Sequence, residues 1–573
     1  MTAPANQGTN QATSPATNQA ISRTGRGPGR LRHRRRWVAT GTAVLTVTAA
    51  CAAGLAAQAS GTPPPTLALV AASRSATLFE GDFFTDYGTH VLVGDRAFVV
   101  EVSRKDLGSP FTATLALGAG DEVRKRPLPA GLADASGLNA FLHLTFRDLH
   151  GTVVREEDQD WVPGGPFFGS VRYRPDAPSS SPWPNLGGFS SGDSFALSNV
   201  FGLQAGWASS AAGVNFDPNA GGLQAGRYTL TETISPVWRK VFDLRAADAT
   251  ATVNLTVVPL PGPGPTGGPQ PTPGPPAGVA SGAAAFVAGV GKQGGAPSAA
   301  DQQSARQSRL AEVAAAAAGK QAVLSTDPNN RKVPARRPDL RSNPAFGATV
   351  LTSDDFGPDP SVPIVPPGHD YLAFAATVWN AGTSPLVVEG SRAPGADLMQ
   401  ARQYFYDRSG RQLGWIPVGS MAYDPKLGHQ HWHFLDFAQY NLLSSAKQQL
   451  VRSQKEAFCL APTDAIDLLR PDANWQPGSV GLFSQCGQTT SLGIREALDV
   501  GWGDTYGQFL PGQSFDITDL ANGTYFIQVL ANPEGNLYET DLTNNESLRR
   551  VILAGKPGHR TVKVPPFQGN DVP

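Results

Sequence analysis

Three of the chain's nine histidines fall within five residues, His429-Gln430-His431-Trp432-His433. In an extended segment alternate side chains share one face, so imidazoles at i and i+2 point toward a common spot. A metal–nitrogen bond is only about 2.0–2.1 Å long. The outer pair is harder to bring onto one ion, because a flat strand separates their Cα atoms by about 13 Å. The segment must bend or twist if all three bind together, and Gly428 fits a distorted start. Imidazole-only ligation suits zinc or copper, copper being the tighter at equal geometry, and the spacing leaves both open. The plainer alternative is a surface run that grips metal adventitiously. The apolar neighbours Trp432, Phe434 and Phe437 favour a packed segment instead.

Downstream come Asp436-Phe437-Ala438-Gln439-Tyr440-Asn441-Leu442-Leu443, Lys455-Glu456-Ala457-Phe458-Cys459-Leu460, Gly503-Asp504-Thr505-Tyr506-Gly507 and Asp516-Ile517-Thr518-Asp519-Leu520. With the histidines, in this order and spacing, the set resembles the catalytic domain of the lysyl oxidase family over roughly residues 338–555. The resemblance implies copper on His429, His431 and His433. It also implies a lysine tyrosylquinone made by the chain itself from Lys455 and Tyr506. The lysine amine must be neutral to add to an oxidised phenol, which partial burial favours. The implied reaction is oxidation of a primary amine to an aldehyde by O2, with release of hydrogen peroxide and ammonia; the cofactor carries the chemistry and the protein positions it. Taken alone, Lys455 reads as a surface lysine and Tyr506 as a core or rim tyrosine, and only the ordered set raises them.

A second site follows from the same resemblance. Glu539-Thr540-Asp541-Leu542-Thr543-Asn544-Asn545 matches the family's acidic calcium segment, and Asp339-Leu340 matches an earlier pair giving a carboxylate and a carbonyl. The implied ligands are Asp339, Leu340, Glu539, Asp541, Asn544 and Asn545, and all-oxygen ligation suits a hard cation. A solvated acidic turn is the simpler alternative. The chain also departs from the family pattern. Animal members have more disulfides and a histidine after the metal cluster, where Gln439 stands near the matching place here. Asp424-Pro425-Lys426-Leu427 replaces their Trp-His pair. The proton-abstracting base is therefore open, with Asp504 as a candidate.

The elements that must position these residues read as strands. Between 76 and 258, His90–Val93, Ala97–Val102, Ala140–Phe146, Arg227–Leu230 and Ala251–Val257 alternate apolar and polar residues, as half-buried antiparallel strands do. We expect one or two immunoglobulin-like β-sandwich units there. His143 and His150 read as ordinary histidines. Pro259 to Pro276 is a Pro/Gly linker, and Ser298 to about Leu324 a marginal helix or spacer, within a linker region 259–337. From 338 to 573 strand patterns return at Tyr371–Trp379, Leu386–Val388, Tyr404–Tyr406 before an Asp407–Gly410 turn, and Thr524–Leu530. The expected fold class is mostly β: an N-terminal β-sandwich region, a Pro/Gly linker and a C-terminal β domain like that of lysyl oxidases.

Residues 1–30 lack large apolar side chains and are too polar to order themselves. Arg30 to Arg36, the apolar run Trp37 to about Ala57, and Ala57-Gln58-Ala59 together make a secretory signal. Segment 1–59 is therefore read as leader and the mature protein as secreted, with twin-arginine export compatible. A membrane anchor through 37–57 and a lipoprotein site at Cys51 are the alternatives. Cys51 lies in the signal, so Cys459 and Cys486 are the natural disulfide of an exported chain, and the family has a matching one. Closing that loop contributes about 3–4 kcal/mol.

With 46 basic and 47 acidic residues, nothing in the whole-chain charge points to nucleic acid. The reading is a copper amine oxidase acting on peptidyl lysine or small amines with O2, its N-terminal β region free to contact a cell surface or matrix, mask the active site or act as a spacer. Its competitors are a zinc hydrolase activating water on the three histidines, which leaves Lys455 and Tyr506 unexplained, and a non-catalytic copper-binding or adhesion protein.

Overall fold

Short alternating runs, turned by Gly and Asp, build nearly every element of the chain. The computed structural model describes residues 66–567 apart from 81–86, 119–122, 165–169, 184–192, 212–222, 260–333, 353–367, 408, 426–429, 454–456, 479–480 and 509–511. The signal region with Cys51, the Pro/Gly linker from residue 260, the Ala-rich stretch, His429 and Lys455 lie outside the described residues. The described elements are almost all strands, so the mostly β expectation is met. Among the described residues no helix is long and apolar enough to cross a membrane.

In Thr250–Val258 the alternation is plain: Ala251, Val253, Leu255 and Val257 are buried, while Thr250, Thr252 and Asn254 face solvent. That strand pairs antiparallel with Gly226–Ile234, which pairs with Gly137–Arg147, the centre of a six-stranded sheet. Two four-stranded sheets complete the N-terminal β region. One runs in the order Leu67–Ala71, Thr89–Val93, Trp207–Ser210, Ser170–Arg172. The other runs Ser198–Leu203, Phe98–Ser103, Thr112–Leu117, Arg124–Pro127. Phe98, Phe141, Trp161, Trp238 and Phe242 pack as a ring cluster, the last two from the short helix Pro236–Phe242. His143, as an ordinary strand histidine, lies between Asp158 and Glu156 at 2.8 and 3.0 Å.

The C-terminal domain holds three more sheets. Tyr371–Asn380 reads as a near-continuous apolar run because it is buried on both faces, the signature of a central strand. It pairs with Leu340–Ser342 on one side and Trp502–Tyr506 on the other, and Phe346–Leu351 and Ser514–Asp516 extend it. A five-stranded sheet runs His431–Phe434, Gln412–Asp424, Leu398–Tyr406, Leu386–Ser391, Gly493–Leu498. Another runs Gln449–Arg452, Ala438–Leu443, Gly523–Ala531, Glu546–Lys556, His559–Lys563. Residues 64–573 fall in one compact unit, and the N-terminal β region abuts the C-terminal domain through Ser181 and residues 193–198. Leu197 and Ser198 both donate their N–H groups to the Ile466 carbonyl, at 2.6 and 3.1 Å.

Candidate metal and quinone centre

His431 and His433 lie on the strand His431–Phe434, whose alternation puts both imidazoles on one face while Trp432 turns into the core. Their Nε2 atoms are 2.9 Å apart and the rings meet edge to face. Two nitrogens bound at about 2.0–2.1 Å and at a right angle on one ion would be about 2.9 Å apart, so the pair fits adjacent positions on a small cation. His433 is buried and His431 half-buried. His429, the third implied ligand, lies outside the described residues. Among the described residues no group of three His, Cys, Asp or Glu side chains is close enough to hold a metal.

Register and packing fix that strand. Ala422 stands opposite His433 and Asp424 opposite His431 on Gln412–Asp424. Trp432 donates its indole N–H to the Gln488 carbonyl at 2.9 Å, and the Arg392 guanidinium covers its ring. The Trp432 N–H donates to the Cys486 carbonyl at 2.8 Å. The Cys459–Cys486 disulfide is formed, as expected, and ties the segment after Lys455 beside the histidine strand. Phe458 and Phe434 exchange backbone hydrogen bonds at 2.8 and 3.0 Å in an isolated antiparallel bridge. Lys455 itself lies outside the described residues. Because the disulfide closes a 27-residue separation around this bridge, Cys486→Ser is expected to cost about 3–4 kcal/mol. Denaturant melts of oxidised wild type and variant measure it, and an unchanged midpoint would contradict the expected constraint.

Tyr506 ends the strand Trp502–Tyr506, opposite Ala376. It is buried, and its ring meets Phe458 edge to face at 5.2 Å between centroids. Burial pushes its phenol well above the ordinary value, reinforced by the charges of Asp504, Tyr440 and Asp424. Asp504 lies two residues earlier on the same strand and is buried too. Tyr440, also fully buried, is pushed up by burial and by the charge of Asp504, with Gln513 beside its hydroxyl drawing it down. The Asp424 that stands opposite His431 is therefore within electrostatic reach of Tyr506, and the histidine strand, Phe458 and Tyr506 share one neighbourhood. Gln439 is buried, with its amide donating to Asn441 Oδ1 at 3.0 Å. Asp424, Tyr440, Phe458 and Gln513 were not singled out from the sequence; they are drawn in by pairing across strands, which leaves no local signal.

At the second implied site, Glu539 is buried and accepts the Leu340 N–H at 2.6 Å and the Asn532 and Asn545 amides at 2.7 Å each. Burial raises its carboxyl to about 8. Asp339 pairs with Arg341 at 2.9 Å and accepts from Asn544 at 3.2 Å. Asp541 accepts the Thr543 N–H and hydroxyl within its own turn. The side-chain oxygens of Asn544 and Asn545 are buried with no hydrogen-bond partner among the described residues. Two orphaned acceptors beside two carboxylates suit a hard cation, so the donor set fits calcium.

Comparison with known proteins gives this geometry a family. Residues 417–561 match the lysyl oxidase family. Lysyl oxidase homolog 3A of Danio rerio is 30% identical over 138 residues, 22% of this chain and 17% of that protein. Lysyl oxidase homolog 4 of Mus musculus and lysyl oxidase homolog 3 of Homo sapiens are each 29% identical over 138 residues, 22% of this chain and 16% of theirs. The chain thus spans only about a sixth of the length of these curated relatives. The matched region, residues 417–561, holds the histidine strand, Phe458 and Tyr506, and marks a lysyl oxidase family domain in the C-terminal part of this chain.

Proposed function

We propose that this protein is an exported copper amine oxidase that converts primary amines, peptidyl lysine or small amines, to aldehydes with O2, releasing hydrogen peroxide and ammonia. One observation carries the reading: two imidazole nitrogens converge to 2.9 Å on a strand whose bridge partner, Phe458, packs on Tyr506. His429, His431 and His433 would hold copper, and Lys455 and Tyr506 would supply the lysine tyrosylquinone. Copper with that quinone provides the electron acceptor for the amine and the return of electrons to O2.

The chain's own residues do the rest. Phe458, itself packed on Tyr440, walls the phenol ring of Tyr506 and excludes water from one side. Raising the phenol's pKa keeps Tyr506 neutral until a metal or base takes its proton. Asp504, two residues away on the same strand, is the group best placed to hold that proton or one from a substrate. Export through residues 1–59 and the N-terminal signal belongs to the same proposal. Purified copper-loaded protein should evolve peroxide from a primary amine and lose that activity on phenylhydrazine treatment. Activity retained after such treatment, or a requirement for zinc in place of copper, would move the reading to hydrolysis or simple metal binding.

Calcium on Asp339, Leu340, Glu539, Asp541, Asn544 and Asn545 is part of the proposal and has its own signature. In chelator the folded chain keeps the Glu539 proton up to about pH 8, against an ordinary value of 4.5. Between those values the unfolded chain binds fewer protons, so stability falls as pH rises through the window, by at most about 1.4 kcal/mol per unit. Added calcium should reverse the trend, since the cation favours the ionised carboxylate. Melting temperatures at pH 5 and pH 8, with and without calcium, test it; a calcium effect equal at both pH values would contradict the assignment.

A further inference from the structure

Residues 193–198 belong to the N-terminal β region and lead into Ser198–Leu203, yet Asp193, Phe195, Ala196 and Ser198 are buried, and the segment bonds to the C-terminal domain. Asp193 is 6% exposed. Asn343 donates to its Oδ2 at 2.9 Å, and the Phe195 N–H donates to its Oδ1 at 2.7 Å. Asn343 in turn donates its backbone N–H to the carbonyl of Thr377, at the middle of the central strand Tyr371–Asn380, at 2.9 Å. The Thr377 hydroxyl is 2.7 Å from that of Thr505, and Thr505 adjoins Tyr506. A buried hydrogen-bonded relay thus runs from Asp193 through Asn343 and Thr377 to Thr505, the neighbour of the proposed quinone tyrosine.

The same segment grips the strand's other flank. Asp464–Ala465 pairs with Gly503 and Trp502, and the next residues are held by Ser198. Ser198 donates its hydroxyl to Asp467 Oδ1 at 2.6 Å and accepts the Leu469 N–H at 2.9 Å. The Trp502–Tyr506 strand therefore has both of its sheet neighbours fastened to residues 193–198. There is no slack at the centre: a Cβ on Gly503 would come within 2.4 Å of the Thr377 methyl and 2.9 Å of Ile466. The Phe195 ring adds packing without touching the relay, meeting Phe567 edge to face under the Arg549 guanidinium.

We propose that Asp193 is a positioning residue for Tyr506, through Asn343, Thr377 and Thr505, so that the N-terminal β region is a working part of the quinone-forming centre rather than an appended module. The proposal rests on the reading of Tyr506 as the quinone tyrosine. The warrant is geometric: an internal crosslink needs its two side chains held at reaction distance, and a displacement of about 1 Å can cost about a hundredfold in rate.

The test uses full-length protein, wild type beside Asp193→Ala, Asp193→Asn and Phe195→Leu. Asn keeps the shape and one acceptor oxygen for the Asn343 amide, giving up only the Phe195 N–H, while Leu at 195 loosens the same segment and spares the relay. Two readouts are taken, amide hydrogen exchange of peptides spanning 501–507 and phenylhydrazine-reactive quinone formed per bound copper after copper is added in air. Asp193→Ala should raise exchange at 501–507 and slow quinone formation by about tenfold or more, at unchanged copper content. Asp193→Asn should stay within about threefold of wild type, and Phe195→Leu should leave both readouts near wild type despite a lower melting temperature. Wild-type exchange at 501–507 in Asp193→Ala, or equal loosening there in Phe195→Leu, would overturn the proposal. If wild type forms no quinone at all, the oxidase reading fails, while the exchange data still decide whether Asp193 holds the strand.

Discussion

Tyr506→Phe is expected to fold, bind copper and oxidise no amine. The phenol oxygen is the only atom removed, and the ring keeps its edge-to-face contact with Phe458. Tyr506 is buried, so an apolar isostere leaves the core filled and changes stability by about 1 kcal/mol or less. The chemical loss is of another order, because phenylalanine offers no oxygen to become a quinone. Turnover should fall to background, at least about a thousandfold or about 4 kcal/mol in barrier. Peroxide release with a primary amine measures it, beside metal content and a thermal melt. A variant that turned over amine as well as wild type would remove Tyr506 from the cofactor.

His433→Ala is the second large effect. His433 is buried, and its Nε2 is one of the two nitrogens converging at 2.9 Å. Alanine removes a metal ligand outright. The loss in copper affinity should exceed the roughly ten- to hundredfold typical of removing a mere supporting group. On the proposed reading copper is required both to oxidise the phenol and to return electrons to O2, so quinone and activity would vanish together. The cavity itself costs about 2 kcal/mol or more, so a melt must show folded protein. Copper at one per chain in folded His433→Ala, with quinone still forming, would exclude this histidine from the site.

The sequence made the strands of the two β regions legible because each buried face carries its own period. Tyr371–Trp379 and Thr524–Leu530 fall inside the strands Tyr371–Asn380 and Gly523–Ala531. The face shared by His431 and His433 also follows from spacing alone. Trp502–Tyr506 did not read as a strand, since Gly503, Asp504 and Thr505 break the apolar pattern; its neighbours on both sides create it. Asp424 opposite His431, Phe458 against Tyr506, and Asp193 on Asn343 join residues up to 150 positions apart. Such pairings are set by register and packing between segments, which single-segment patterns do not encode. The 193–198 contact also narrows the part played by the N-terminal region, which its composition left open.

Peptide mapping by mass spectrometry tests the central claim most directly, on exported protein matured with copper and O2. The account predicts a covalent species joining the Lys455 and Tyr506 peptides, labelled by phenylhydrazine. Unmodified Lys455 and Tyr506 peptides in copper-replete, aerated protein would contradict it and leave a metal-binding β protein with a lysyl oxidase fold.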